Sequence, residues 1–187
     1  MSEFTFNPHE VVPLKDRDVL EKVRNIKRED IDKHPNPDFR IQVVPDMQIG
    51  MIGLIERFYL LKTAMDEGRE IAFIMGNPNP GYVNFARMIN RFQVNCSKFW
   101  VFAMDEWADD AGNIAPETYP QSFRRALLTY LYQQIDEHLR PPISQMLTPN
   151  NGNINDYSKM LADRGGADAC FSGSGWAGHI AFIDPDV

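Results

Sequence analysis

Two short apolar runs constrain this chain more than anything else in it. "EIAFIMG" (70–76) and "KFWVFAMDEW" (98–107) carry almost no polar residue in their interiors. A strand with one wet face alternates apolar and polar residues, whereas an unbroken apolar run reads as a strand buried on both faces. Between the two runs, "GYVNFARMINRF" (81–92) has helical spacing. Ahead of them, "DMQIGMIGLIERFYLLKTAMDEG" (46–68) starts on an Asp suited to an N-cap and stops at Gly68. Its apolar stripe is read as Met51, Ile55, Phe58, Leu61, Ala64 and Met65. Strand alternating with helix at this spacing predicts an α/β domain of three layers, a mainly parallel sheet flanked by helices.

The remaining segments extend that order. "FRIQVV" (39–44) reads as a strand and "PQSFRRALLTYLYQQIDEHL" (120–139) as one long amphipathic helix closed by Pro141-Pro142. "NINDYSKMLADRGG" (153–166) reads as a shorter helix, and "ADACFSGSG" (167–175) as a strand running into a Gly-rich loop. Residues 1–38 are polar and Pro-punctuated, and are read as an N-terminal extension packed on a main domain of residues 39–187. Within it, residues 16–34 can form a helix with Val19, Leu20, Val23 and Ile26 near one face.

At 187 residues the chain fits one domain with a sizeable core. Its net charge of −7, with Lys and Arg scattered, argues against nucleic-acid or membrane-surface partners, because phosphate polyanions would be repelled. A small anion held locally by amides and a few cations stays compatible with that charge. Cys96 and Cys170 are too few for a disulfide framework or a metal quartet, and both are read as buried thiols. No metal site is expected. The N-terminus lacks a basic head followed by an apolar stretch, and no apolar run reaches membrane-spanning length, so a cytoplasmic protein is expected.

In parallel sheets ligands bind outside the carboxyl ends of the strands. The first such end, "MGNPNPGY", offers Gly76, Asn77 and Asn79 before a helix. It fits an anion cradle and an ordinary strand-to-helix turn equally, since its two prolines each remove a donor. The second, "FAMDEWADD", sets Asp105 and Glu106 directly after an apolar strand. A carboxylate half-withdrawn from water binds its proton more tightly and can shuttle it on carbon; a solvated or helix-capping acid is the competing reading. The third, "FSGSGWAGHIAFIDP" (171–185), crowds Gly173, Gly175 and Gly178 before His179, with Asp184 five residues on. Glycines leave free N–H groups for an oxyanion, but a lone histidine is usually structural.

Together, "FAMDEW", "YPQSF" and "GSGWAGHIAFIDP" resemble the glucosamine-6-phosphate deaminase/isomerase family, whose superfamily includes 6-phosphogluconolactonase. The resemblance runs from about residue 39 to the end and implies a Rossmann-like fold. It implies that Asp105 moves the proton between C2 and C1 of an open-chain amino sugar phosphate, that His179 opens the ring, and that Asp184 supports His179. Gly76, Asn77, Asn79, Glu106, Gly173, Gly175 and Gly178 would contact the substrate. No cofactor is implied. Lactonases carry Asp-Glu-Arg where this chain has Asp105-Glu106-Trp107.

This chain also departs from the pattern. Ala177 stands where the family has an Asp, Ile183 where it has an Asn, and "GNPNPG" replaces a loop rich in Gly, Ser and Thr. These changes leave the carbon base in place but weaken the ring-opening group and the phosphate cradle. They fit a different sugar, an open-chain substrate or lost catalysis. Family members continue past the His loop, so the phosphate-binding Lys or Arg is expected beyond Val187. The expected activity is conversion of glucosamine 6-phosphate to fructose 6-phosphate and ammonia. The alternatives are lactone hydrolysis, with His179 activating water, and a non-catalytic sugar-phosphate sensor. A homo-oligomer is compatible with an exposed sheet edge at the chain's end.

Overall fold

The apolar runs lie side by side at the centre of a parallel sheet. A computed structural model describes residues 16–173 and Gly175. It has strands β1 (Ile71–Met75), β2 (Phe99–Ala103), β3 (Met146–Leu147) and β4 (Ala169–Phe171) in the order β3-β2-β1-β4, every pair parallel. The helices are α1 (Arg17–Arg24), α2 (Asp46–Asp66), α3 (Tyr82–Arg91), α4 (Phe123–Tyr130) and α5 (Tyr157–Ala162). The chain divides into two compact units, Gly50–Gly173 and Met1–Ile49 with Ser174–Val187. The sheet belongs wholly to the first.

Alternation along the central strands builds the layers. Ile71, Phe73 and Met75 of β1 join Phe99 and Val101 of β2 in one buried cluster with Phe58, Leu61 and Ala64 of α2. Tyr82, Phe85, Ala86 and Ile89 of α3 and Leu127 and Leu128 of α4 complete it. Phe73 sits at its middle, edge-on to Phe99 at 5.2 Å and to Phe171 at 5.1 Å. Each such side chain removed from water contributes roughly 1.5–3 kcal/mol, so this face carries most of the fold's stability. On the other face, buried Phe102 meets Tyr157 of α5 edge-on at 5.7 Å. The predicted α/β class, a parallel sheet between helices, is what the chain adopts.

Several sequence expectations need correcting. Residues 39–44 form no strand; they lack a pairing partner, and Val43 stays 62% exposed. The helix expected over 120–139 ends at Tyr130 and gives way to 3₁₀ turns at Tyr132–Gln134 and Glu137–Leu139. Asn90 of α3 causes this break: its amide donates to the Gln134 carbonyl at 2.9 Å and its carbonyl accepts the Asp136 N–H at 2.9 Å. These bonds replace helical ones while Leu131, Ile135 and Leu139 remain buried. Met51 and Ile55 are exposed, so the buried stripe of α2 begins with Leu54 and Phe58. Cys96 is buried as expected, but Cys170 is exposed.

In the other unit, Asp16 caps α1 by accepting the N–H groups of Asp18 and Val19 at 3.0 and 3.1 Å. The helix has no buried residue. Among the described residues no helix is long and apolar enough to cross a membrane.

Candidate functional site

Register fixes which residues emerge together from the sheet. Met75 pairs with Ala103 on one side and with Phe171 on the other, so the three strands end level. Each ladder continues one step further. The Met104 N–H donates to the Met75 carbonyl at 3.0 Å, and the Gly76 N–H to the Phe171 carbonyl at 3.3 Å. The chain moves outward from β1 to β2 and β3, then returns to lay β4 on the far side of β1. The β1/β4 boundary is therefore the place where strand order reverses, the usual crevice for ligands in such sheets.

The loop after β1 is braced from within. The Tyr82 hydroxyl donates to the Gly76 carbonyl at 2.6 Å. Burial pushes the Tyr82 phenol up to about 12, so it is a neutral donor at ordinary pH. Asn79 Oδ1 accepts the Gly81 N–H at 2.9 Å and turns the chain into α3. A Cβ on Gly81 would lie 2.9 Å from that same oxygen, so a side chain there would displace the Asn79 amide. Asn77 donates to the Met75 carbonyl at 3.3 Å, leaving its Oδ1 shielded and without a partner among the described residues. A buried acceptor of that kind is costly unless a donor arrives.

Asp105 lies two residues beyond β2 and is partly buried, with its Oδ1 shielded from solvent. Its charge is felt by both Tyr82 and Tyr157, and in each it adds to burial in raising the phenol's proton affinity. The Tyr157 hydroxyl sits between the carbonyls of Ala103 at 2.9 Å and Leu147 at 3.1 Å, tying α5 to the ends of β2 and β3. A partly buried carboxylate at the end of a central strand is a suitable proton-transfer base.

Glu106 points elsewhere. Its Oε1 accepts the Phe123 and Trp107 N–H groups at 2.9 and 3.0 Å. Its Oε2 accepts the Arg124 N–H and the Ser122 hydroxyl, both at 2.9 Å. Ser122 Oγ in turn accepts the Arg125 N–H at 3.3 Å. Glu106 thus satisfies the open N-terminus of α4, the capping role weighed for an acid at this position. Trp107 packs against Phe123 with ring centroids 5.4 Å apart.

Of the residues singled out from sequence, Gly76, Asn77, Asn79, Asp105, Glu106 and Gly173 all fall at the strand ends of one unit. Gly173 has open space where a side chain would be. Gly175 falls in the other unit and is partly buried. Gly178, His179 and Asp184 lie outside the described residues. Among the described residues no group of three His, Cys, Asp or Glu side chains is placed to hold a metal ion.

Sequence reading missed three groups at this end of the sheet: Tyr82, Tyr157 and Arg57. The Arg57 guanidinium carbon lies 4.6 Å from the Phe171 ring centroid and 5.6 Å from that of Tyr82. Its Nε is shielded and has no hydrogen-bond partner among the described residues. A signal was present in the sequence. Arg57 falls among Leu54, Phe58 and Leu61 on the inward stripe of α2, where a charge is out of place.

No family model matches the chain, and no curated protein matches its sequence. Its fold is similar to a solved structure described as a monomeric glucosamine-6-phosphate deaminase, a missing link of the NagB superfamily. The TM-score is 0.62 at 16% identity, over 76% of this chain and 57% of that one. The chain therefore spans little more than half the length of the structure it matches. At such identity the likeness carries the fold alone: an α/β parallel sheet flanked by helices.

Proposed function

We propose that this chain is a sugar-phosphate isomerase/deaminase, acting on glucosamine 6-phosphate to give fructose 6-phosphate and ammonia. The observation that carries the reading is Asp105, partly buried just past the end of a central strand, with its charge bearing on both Tyr82 and Tyr157. The similar fold of a glucosamine-6-phosphate deaminase supports the substrate class.

In this reading the Asp105 carboxylate takes the C2 proton of the open-chain amino aldehyde, and the electron pair moves toward C1 and its oxygen. Return of the proton to C1, with O1 gaining one proton and the amine nitrogen giving one up, leaves a ketimine at C2, which one water hydrolyses to the ketone and ammonia. A positioned base of this kind contributes about 10²–10⁴ in rate. Ring opening is assigned to His179, supported by Asp184. Asn77 Oδ1 is suited to receive a sugar hydroxyl or amine. Glu106 acts as a positioning residue, because its grip on α4 holds the backbone beside Asp105.

The test is a substrate panel on the full chain. Ammonia and fructose 6-phosphate formed in equal amounts from glucosamine 6-phosphate support the reading. Hydrolysis of 6-phosphogluconolactone without ammonia release would replace it with the lactonase. Thermal stabilisation by amino-sugar phosphates without any turnover would replace it with the sensor.

A further inference from the structure

We infer that Tyr157 is a positioning residue for Asp105: its hydroxyl fixes the peptide group from which Asp105 leaves the sheet. That group is the amide joining Ala103 to Met104, and it is gripped from both sides. Its N–H donates to the Met75 carbonyl of β1 at 3.0 Å. The N–H and C=O of a trans peptide point in opposite directions, so the Ala103 carbonyl turns away from β1 toward the β3 side. There the ladder has run out, because the last pairing of β3 is Leu147 with Phe102. The Tyr157 hydroxyl stands in for the missing strand residue. It shares its one proton between the Ala103 carbonyl at 2.9 Å and the Leu147 carbonyl at 3.1 Å.

The chain ahead of α5 is shaped to bring Tyr157 here. Asn153 Nδ2 donates to the Thr148 carbonyl at 2.9 Å, and its Oδ1 accepts the Asn150 N–H at 2.8 Å, closing residues 148–153 into a turn just after β3. Tyr157 then opens α5 with its ring edge-on to Phe102 at 5.7 Å. Ring and hydroxyl thus hold two successive residues of β2. Burial keeps the phenol protonated, so it remains a donor through the ordinary pH range.

Without the hydroxyl, two carbonyls at neighbouring strand ends lose their donor, and that end of the sheet is freed to fray. Asp105 lies two residues past Ala103, so a rotation of this peptide is passed to its carboxylate. The Asp105 charge is felt at the same phenol. A displacement of about 1 Å at a reacting group can cost on the order of a hundredfold in rate. The catalytic consequence rests on the reading of Asp105 as the base; the grip on the peptide rests on the hydrogen bonds alone.

The experiment compares the full chain with its Tyr157→Phe variant, which keeps the ring and removes only the hydroxyl. Circular dichroism checks the fold, and two readouts are taken. The first is the carboxyl carbon resonance of Asp105 in protein labelled with ¹³C-aspartate; the second is kcat and KM for glucosamine 6-phosphate. In Tyr157→Phe the Asp105 resonance should shift while that of Asp168, on the far side of β1, stays in place. kcat should fall by about tenfold or more, with KM within about twofold of the wild type. An unmoved Asp105 resonance, or an unchanged kcat in the folded variant, overturns the inference. A wild type inert toward glucosamine 6-phosphate removes the deaminase reading, and the Asp105 resonance then decides the positioning by itself. Should Tyr157→Phe fail to fold, Asn153→Ala, which loosens the turn carrying Tyr157, is judged by the same two readouts.

Discussion

Glu106 accepts the backbone N–H of Phe123, seventeen positions downstream, at 2.9 Å. An acid at the end of a strand thus starts the helix that follows, through a loop that includes Trp107 and Tyr119. Removing it as Glu106→Ala strips acceptors from the Phe123 and Arg124 amides and from the Ser122 hydroxyl. Loss of a cap with charge-assisted bonds should cost about 3 kcal/mol of stability, and Glu106→Gln clearly less. Urea unfolding measures both; a change under about 0.5 kcal/mol for Glu106→Ala is surface-like and denies the cap.

Asp168 fastens the start of β4 to β1 through its side chain as well as its backbone. Asp168 Oδ2 accepts the Ala72 N–H at 2.8 Å, and its Oδ1 accepts from Arg69 at 3.0 Å. Its own N–H donates to the Ala72 carbonyl at 2.8 Å. Asp168→Ala should destabilise the chain by about 1–3 kcal/mol, through the unpaired Ala72 amide. Hydrogen exchange should quicken at residues 169–171 before it does in β2. Uniform acceleration across the sheet is the contrary result.

Alkali should unfold the protein in a defined window. Burial raises the Cys96 thiol from 9.0 to about 12 and the Tyr82 phenol from 10.0 to about 12, and it raises Tyr157 as well. The unfolded chain loses these protons first, so their contribution is complete below pH 9.0 and disappears as pH climbs toward 12. Each group that stays protonated only in the fold contributes a slope of about 1.4 kcal/mol per pH unit. Unfolding free energy measured against pH should fall from about pH 9, and in Cys96→Ala the fall should begin later, with the tyrosines. Identical profiles would show that the thiol does not titrate with unfolding.

The two thiols should separate cleanly with a soluble disulfide reagent. Cys170 is exposed and Cys96 is buried. One equivalent should react quickly in the native protein and the second only in denaturant. Two fast equivalents would contradict the packing around Cys96.

How much of this was legible depended on where the deciding contacts lay. β1 and β2 announce themselves because burial on both faces forces unbroken apolar runs. The capping reading of an acid after β2 was available, though not that the helix capped was α4. The break after Tyr130 was hidden, since Leu131, Ile135 and Leu139 keep an apolar, helix-like spacing while Asn90 supplies the bonds that end the helix. β3 has only two residues, Met146 and Leu147, too few for any pattern. Residues 39–44 have β-forming side chains but no neighbour to pair with. Arg57 was overlooked because a charge inside an apolar stripe reads as noise until the strand ends beside it are known.

The most direct measurement follows solvent deuterium into product. In heavy water, wild-type protein acting on glucosamine 6-phosphate should place deuterium at C1 of fructose 6-phosphate and release ammonia. Asp105→Asn should keep its fold and its affinity for the sugar phosphate while losing both signals by at least about a hundredfold. A folded Asp105→Asn protein with undiminished exchange and ammonia release would contradict the assignment of the base.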